Sequence, residues 1–182
     1  MGFQSLNKLF LDRVEDNLDK PFLWSKINKE WKSITWEETS KKVKEFSSGL
    51  KAHGIKPGDR VVIVSENRPE WIISDLAITM IGGITVPAYT TNTEDDHHYI
   101  LEHSGAKAVI TSNNILANRL ALATTRTKEC KILITIDNYN GFEPEGLNIL
   151  SFNEVNNFGK NTIENSTDHI DNIQPDDTSC II

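Results

Sequence analysis

Only two cysteines, Cys130 and Cys180, occur in 182 residues. Neither has a metal-ligand spacing partner, which excludes a disulfide framework and a structural zinc site. Such sparing use of cysteine fits a reducing compartment, and a cytoplasmic location is expected. Positive charge is short as well: 19 Lys and Arg stand against 26 Asp and Glu, a net charge of −7. That balance opposes attraction to phosphate backbones and anionic lipid surfaces, so no nucleic-acid partner is expected. No apolar run approaches the roughly 18 residues of a spanning helix, and no basic-then-apolar leader opens the chain. No transmembrane segment is expected, and the chain reads as soluble. The glycines never form Gly-x-Gly-x-x-Gly after a strand or a phosphate loop ending in Gly-Lys-Ser/Thr, and no serine lies in Gly-x-Ser-x-Gly. The chain therefore lacks a complete nucleotide cradle and a catalytic nucleophile. Two short matches have plain explanations. Met1-Gly2 lacks the Ser or Thr that myristoylation wants at the sixth position, which is Leu6. Asn165-Ser166-Thr167 matches a glycosylation acceptor, but without a secretion signal it reads as a polar surface loop.

What is present is an ordinary globular composition, 38% hydrophobic and 25% charged, organised around residues 59–89. Residues 60–65 form a nearly uninterrupted β-branched run, as expected of a strand covered on both faces. Asn67 and Glu70 have the spacing of a capping box, and Pro69 suits a first helical turn. The helix that follows, with Trp71, Ile72, Ile73, Leu76, Ala77, Ile78, Met80 and Ile81, is apolar nearly all round and so belongs inside a larger body. After Gly82-Gly83, residues 84–89 return as a second strand, parallel to the first.

Before this unit, Ser5 caps an expected amphipathic helix carrying Leu6, Leu9, Phe10, Val14 and Leu18. Residues 22–27 and 31–34 read as a hairpin about Asn28-Lys29-Glu30, with Trp24 and Trp31 expected to pack in the core. Thr35 and Glu38 open a second helix with Trp36, Val43, Phe46 and Leu50 on one stripe. Beyond it, Thr93 caps a helix that runs to Gly105, residues 107–111 form a strand, 114–127 a helix and 131–136 a strand. Residues 147–152 read as a further strand, 156–177 as polar loop, and 178–182 as the start of another strand. Strands alternating with helices of this length predict an α/β fold with a mostly parallel sheet and helices on both faces.

Glu94-Asp95-Asp96-His97-His98 resembles a metal cluster only in composition. On a helix only Glu94 with His98, or His98 with Glu102, share a face, so three ligands do not converge and no metal is expected. The loop Glu66-Asn67-Arg68-Pro69-Glu70 lies at the carboxyl end of a strand, where open α/β sheets bind ligands, although helix capping accounts for it equally well.

Ile34-Thr35-Trp36, Gly54-Ile55-Lys56-Pro57-Gly58-Asp59-Arg60-Val61, Ser65-Glu66-Asn67-Arg68-Pro69-Glu70-Trp71 and Gly82-Gly83-Ile84-Thr85-Val86-Pro87-Ala88-Tyr89-Thr90-Thr91 together resemble the amino-terminal region of adenylate-forming enzymes. The pattern is most similar to AMP-forming long-chain acyl-CoA synthetases. The four motifs occur in family order and are followed by Ile100-Leu101-Glu102-His103-Ser104-Gly105-Ala106-Lys107. The resemblance covers residues 22–111 well and implies that the chain is the first third of an adenylation domain. Residues 1–34 would be a helix and hairpin, 35–136 the alternating core and 137–182 a loop-rich lead-in to a phosphate loop. In Asp177-Thr178-Ser179-Cys180-Ile181-Ile182 the chain resembles the approach to that loop, which would begin just past Ile182. The resemblance implies a reaction in which ATP and Mg²⁺ activate a long-chain fatty acid as acyl-adenylate and coenzyme A displaces AMP. It also implies homodimers in some branches, and an unfinished strand edge would favour self-association. Without the phosphate loop and catalytic lysine the chain alone is expected to be inactive. In some relatives the loop matching Tyr89, Thr90 and Thr91 lies near the coenzyme A nucleotide, so the resemblance makes these the candidate cofactor contacts. The alternative, a packed Tyr89 ring with the threonines in a turn leading to Thr93, stands beside it, as does a stand-alone α/β binding or regulatory module without catalysis.

Overall fold

The computed structural model describes residues 5–162 and 169–182; the Met1-Gly2 and Asn165-Ser166-Thr167 matches lie outside them. Helix α1 (Leu6–Asn17) begins where the Ser5 side chain accepts the Lys8 N–H, and it buries Asn7, Phe10 and Val14. Leu6 and Leu9 stay exposed, so the apolar stripe is narrower than expected. Strands β1 (Pro21–Ile27) and β2 (Glu30–Thr35) pair antiparallel. Asn28 and Lys29, with φ of 51° and 69°, make the two-residue turn whose left-handed pair matches strand twist. Trp24 and Trp31 are not core, being 54% and 65% exposed. The aromatic contact is made instead by Phe22, which stacks on Trp36 with 3.7 Å between ring centroids and ties the base of the hairpin to the body. Helix α2 (Trp36–Ala52) opens on the expected Thr35–Glu38 capping box and buries Val43, Phe46 and Leu50 completely.

Strand and helix then alternate as far as β6, which a loop joins to β7: β3 (Arg60–Val64), α3 (Pro69–Met80), β4 (Ile84–Pro87), α4 (Glu94–Ser104), β5 (Ala108–Thr111), α5 (Asn114–Thr124), β6 (Ile132–Thr135), β7 (Asn148–Ser151) and α6 (Phe152–Lys160). The strands form one parallel sheet in the order β4-β3-β5-β6-β7. Alternate side chains of a strand point to opposite faces, and that alternation splits the core in two. Val61 and Ile63 join Ala108, Ile110, Ile134 and α1, α2, α3 and α6 on one side. Val62 and Val64 join Val109, Leu133 and the inward residues of α4 and α5 on the other. The α/β fold with a parallel sheet and helices on both faces is therefore as expected.

Three local readings change. The N-cap of α3 is Arg68, not Asn67; no side chain caps it, and Pro69 occupies the first turn. Trp71 is half-buried, packing on the rim of the core, so Trp71→Ala is expected to cost about 2 kcal/mol, below the 3–5 of a fully enclosed aromatic. Urea midpoints of the two proteins check this, and a loss near 5 kcal/mol would mean the ring is enclosed. Helix α6 occupies residues expected to be loop: Ser151 and Glu154 form its capping box, and Phe152 and Val155 are buried. Near Ile182, Cys180 makes a parallel bridge to Thr85. The Thr85 N–H donates to the Ser179 carbonyl at 3.1 Å and the Ile181 N–H to the Thr85 carbonyl at 3.0 Å, so the strand expected there begins along the outer edge of β4.

Candidate functional site

In an open parallel sheet a crevice forms beyond the strand carboxyl ends wherever the order reverses, because the flanking connections leave on opposite sides. Here the order reverses between β3 and β5. The loops at that end are rooted by extensions of the ladder. Ser112 N–H donates to the Val64 carbonyl at 3.3 Å, Ala88 N–H to Ile63 at 2.9 Å, and Asp137 N–H to Ser112 at 2.9 Å.

Arg68 clamps two of these loops together. Its Nε lies 2.8 Å from Glu70 and its Nη1 3.0 Å from Asp137, two residues past the end of β6. Partial burial pulls the guanidinium pKa down, but hydrogen bonds and charge from Glu70 and Asp137 outweigh it and the net shift is upward. Glu66 is handled similarly. Burial raises its carboxyl, while hydrogen bonds from Ser112, its own backbone and Asn113, with the charge of Arg68, bring it below the ordinary carboxylate value. The 66–70 loop is thus a structural tie across the switch point, and its one cation is committed to two carboxylates.

Tyr89, Thr90 and Thr91 follow β4 at the same end of the sheet. The Asn92 N–H donates to the Tyr89 carbonyl at 3.2 Å and closes a turn. From α5, Arg119 Nη1 donates to the Asn92 carbonyl at 2.6 Å and the Thr90 carbonyl at 3.4 Å, fixing that turn from behind. The threonines do form a turn leading to the Thr93 cap, whose capping box with Asp96 is present. The Tyr89 ring does not pack: it is 80% exposed. An exposed aromatic face with two hydroxyl-bearing neighbours can stack on a planar group and donate hydrogen bonds around it. It offers neither a nucleophile nor a base.

Sequence reasoning weighed His97 only as a metal ligand and missed its burial. In the first turn of α4 it is 1% exposed, and neither ring nitrogen has a hydrogen-bond partner among the described residues. Burial, then the charge of Arg119, lower its pKa to about 4, with Asp96 opposing, so the ring is neutral at pH 7. The acidic start of α4 makes ion pairs with a residue just past the end of α5. Arg126 lies 3.3 Å from Glu94 and 2.9 Å from Asp95, and among the described residues no group of three potential ligands converges.

A cavity of about 490 Å³ among the described residues lies at the opposite end of the sheet, lined by Gly58, Gly82, Gly83 and Ile84 where β3 and β4 begin, with His169 and Ser179. By the switch-point argument that is the end where ligands do not bind, and the carboxyl-end loops remain the candidate site. No helix of the described residues is long and apolar enough to cross a membrane.

A doubly wound parallel sheet with its loops rooted at the carboxyl ends places the chain in the general class of open α/β domains that bind ligands beyond their strand ends. The family described as AMP-binding enzyme matches residues 10–182, and the chain belongs to that family. The long-chain-fatty-acid–CoA ligase FadD15 of Mycobacterium tuberculosis is 30% identical over 113 residues, covering 62% of this chain and 19% of that protein. The long-chain-fatty-acid–CoA ligase ACSBG2 of Xenopus laevis is 22% identical over 178 residues, covering 98% of this chain and 24% of that protein. Among solved structures, coronafacic acid ligase of Pectobacterium brasiliense superposes with a TM-score of 0.78 at 21% identity, over 96% of this chain and 32% of that one. The chain thus spans about a fifth to a quarter of these curated relatives and about a third of that solved one.

Proposed function

We propose that this chain is the amino-terminal part of an ATP-dependent, AMP-forming ligase that joins a long-chain fatty acid to coenzyme A. The observation that carries the reading is the family match over residues 10–182, supported by relatives named as long-chain-fatty-acid–CoA ligases. In such a ligase the carboxylate attacks ATP to give an acyl-adenylate and pyrophosphate, and the thiol of coenzyme A then displaces AMP. Among the described residues Arg68 is paired with two carboxylates and Arg119 donates to backbone carbonyls, so neither guanidinium is free to receive a triphosphate, and framework is the role proposed for them in that chemistry. Coenzyme A is different. The exposed ring of Tyr89 suits stacking on an adenine, and the hydroxyls of Thr90 and Thr91 suit its polar rim. A cytoplasmic location agrees with the two free cysteines.

The test compares the 182-residue chain with the polypeptide read on past codon 182. Fatty-acid-dependent exchange of pyrophosphate into ATP is expected from the longer product and not from the chain itself. In the longer product Tyr89→Ala is expected to raise the KM for coenzyme A by about tenfold, the scale of one lost base–aromatic stack, and to leave the exchange rate unchanged. Exchange by the 182-residue chain, or a stop codon directly after Ile182, would overturn the reading and leave a stand-alone binding module.

A further inference from the structure

The β1–β2 hairpin exposes an unusual combination of side chains. Trp24, Ile27 and Trp31 are 54%, 47% and 65% exposed within eight residues, while the base of the same hairpin is held in the core through Phe22 and Ile34. The register places Trp31 opposite Lys26 and Trp24 opposite Ser33. The two indoles are therefore diagonal neighbours on one face, near enough to make one apolar patch. Lys26 Nζ sits 6.0 Å from the centre of the Trp31 ring. Ile27, the last residue of β1, pairs with Glu30 and lies with Lys32 on the other face of the hairpin, beside a tip closed by Asn28 and Lys29 in left-handed conformation, so both faces of the free end are held by a short turn and have little ordering left to lose on binding.

Charge is segregated to the same place. From Lys20 to Thr35 four lysines, Lys20, Lys26, Lys29 and Lys32, stand against the single acid Glu30, so this segment carries +3 and the rest of the chain −10. Among the described residues none of Lys26, Lys29 and Lys32 forms an ion pair. The net charge of the whole chain opposes an anionic surface, but screening confines each charge to about 10 Å. The tip of a hairpin therefore presents its own lysines to whatever it touches.

We propose that the free end of the β1–β2 hairpin is a docking surface for an anionic lipid bilayer, with Trp24, Trp31 and Ile27 at headgroup depth and Lys26, Lys29 and Lys32 against the lipid charges. Tryptophan with lysine is the composition of the bilayer interface, where an indole keeps its N–H wet and its ring in the acyl boundary. Protein–protein patches, in contrast, are depleted in lysine. A symmetric pairing of two copies would set like-charged tips against each other, because a two-fold contact uses the same patch twice. Neither signal suffices alone, and an apolar wedge combined with a basic cluster is what gives stable peripheral binding. The inference does not depend on the ligase reading; where that reading holds, it sets the chain at the surface in which long-chain fatty acids partition.

Cosedimentation of the 182-residue chain with vesicles tests it. Binding is expected to an equal mixture of phosphatidylcholine and phosphatidylglycerol and not to phosphatidylcholine alone, with a blue shift of indole fluorescence and loss in high salt. Lys26→Gln with Lys29→Gln and Lys32→Gln is expected to weaken binding about a hundredfold, at about fivefold per lysine, and Trp24→Ser with Trp31→Ser by at least about tenfold. The lysine variant changes only exposed side chains and decides the question if the tryptophan variant fails to fold. No binding to mixed vesicles, undiminished binding by the lysine variant, or a tryptophan-dependent dimer without vesicle binding would each overturn the proposal.

Discussion

Gly159→Val is expected to destabilise the fold by about 3 kcal/mol or more, above the usual range for overpacking. Helices α2 and α6 approach each other at glycines from both sides. A Cβ at Gly159 would run into the Glu45 carbonyl oxygen and lie 2.5 Å from the Gly49 nitrogen, while one at Gly49 would run into the Val155 carbonyl oxygen and lie 2.8 Å from its Cγ1. Most of the obstructing atoms are backbone, so no rotamer change relieves the clash and the helices must separate. Separation loosens the Phe46–Phe152 stack, whose centroids are 4.1 Å apart, and the 2.8 Å hydrogen bond from Asn156 to Glu45. Replacing glycine inside a helix returns about 1 kcal/mol of propensity for alanine and less for valine, which decides the order of the series. Gly159→Ala should be the milder variant and Gly159→Val the worse. Urea denaturation followed by circular dichroism measures both, and a valine variant within about 1 kcal/mol of wild type would mean the helices are not in contact there.

That contact also marks where sequence reading stops. The β3–α3–β4 unit was legible because burial on both faces leaves uninterrupted apolar runs, which local pattern detects. Helix α6 was not, since Asn153, Asn156, Asn157 and Gly159 read as loop by propensity. The glycine is there for close approach, which is a tertiary fact. One local signal was available, the Ser151–Glu154 spacing of a capping box. Pro69 likewise carried the answer at α3. A proline at the first helical position makes the preceding residue the cap and holds it extended, as Arg68 is at φ −155° and ψ 160°, so Asn67 lies one residue too early. The hairpin tryptophans show the opposite limit. Alternation says which residues share a face, but nothing in the strands says which face meets the body. At the candidate site the position of Tyr89, Thr90 and Thr91 past a strand end was legible. The Arg68–Asp137 clamp joins residues 69 apart and has no local trace.

Acidification from pH 7 towards pH 4 is expected to cost about 3 kcal/mol of folding stability through His97 alone. The ring is enclosed, neither nitrogen finds a partner, and Arg119 stands near it, so the folded protein resists a second cation until about pH 4, against an ordinary 6.5. Between those two values the unfolded chain binds a proton that the folded one refuses, and each pKa unit of difference is worth 1.36 kcal/mol. Stability contributed by the neutral ring is therefore complete above pH 6.5 and drains away as the pH falls to 4. Other groups titrate in or below this window with both signs. Glu66, Asp96, Glu129 and Glu154 have lowered pKa values and lose their contribution at the acid end. Asp75, raised by burial, favours the folded state on acidification. The comparison that isolates His97 is with His97→Leu, which removes both the titration and two unpartnered buried nitrogens while keeping an apolar group of similar reach. Urea midpoints of the variant should match or exceed wild type at pH 7, because replacing an unsatisfied polar group by an apolar one is close to neutral or stabilising. They should then fall much less between pH 7 and pH 4.5. Parallel pH profiles for the two proteins would show that His97 is solvated in the folded chain and that the first turn of α4 is open to water.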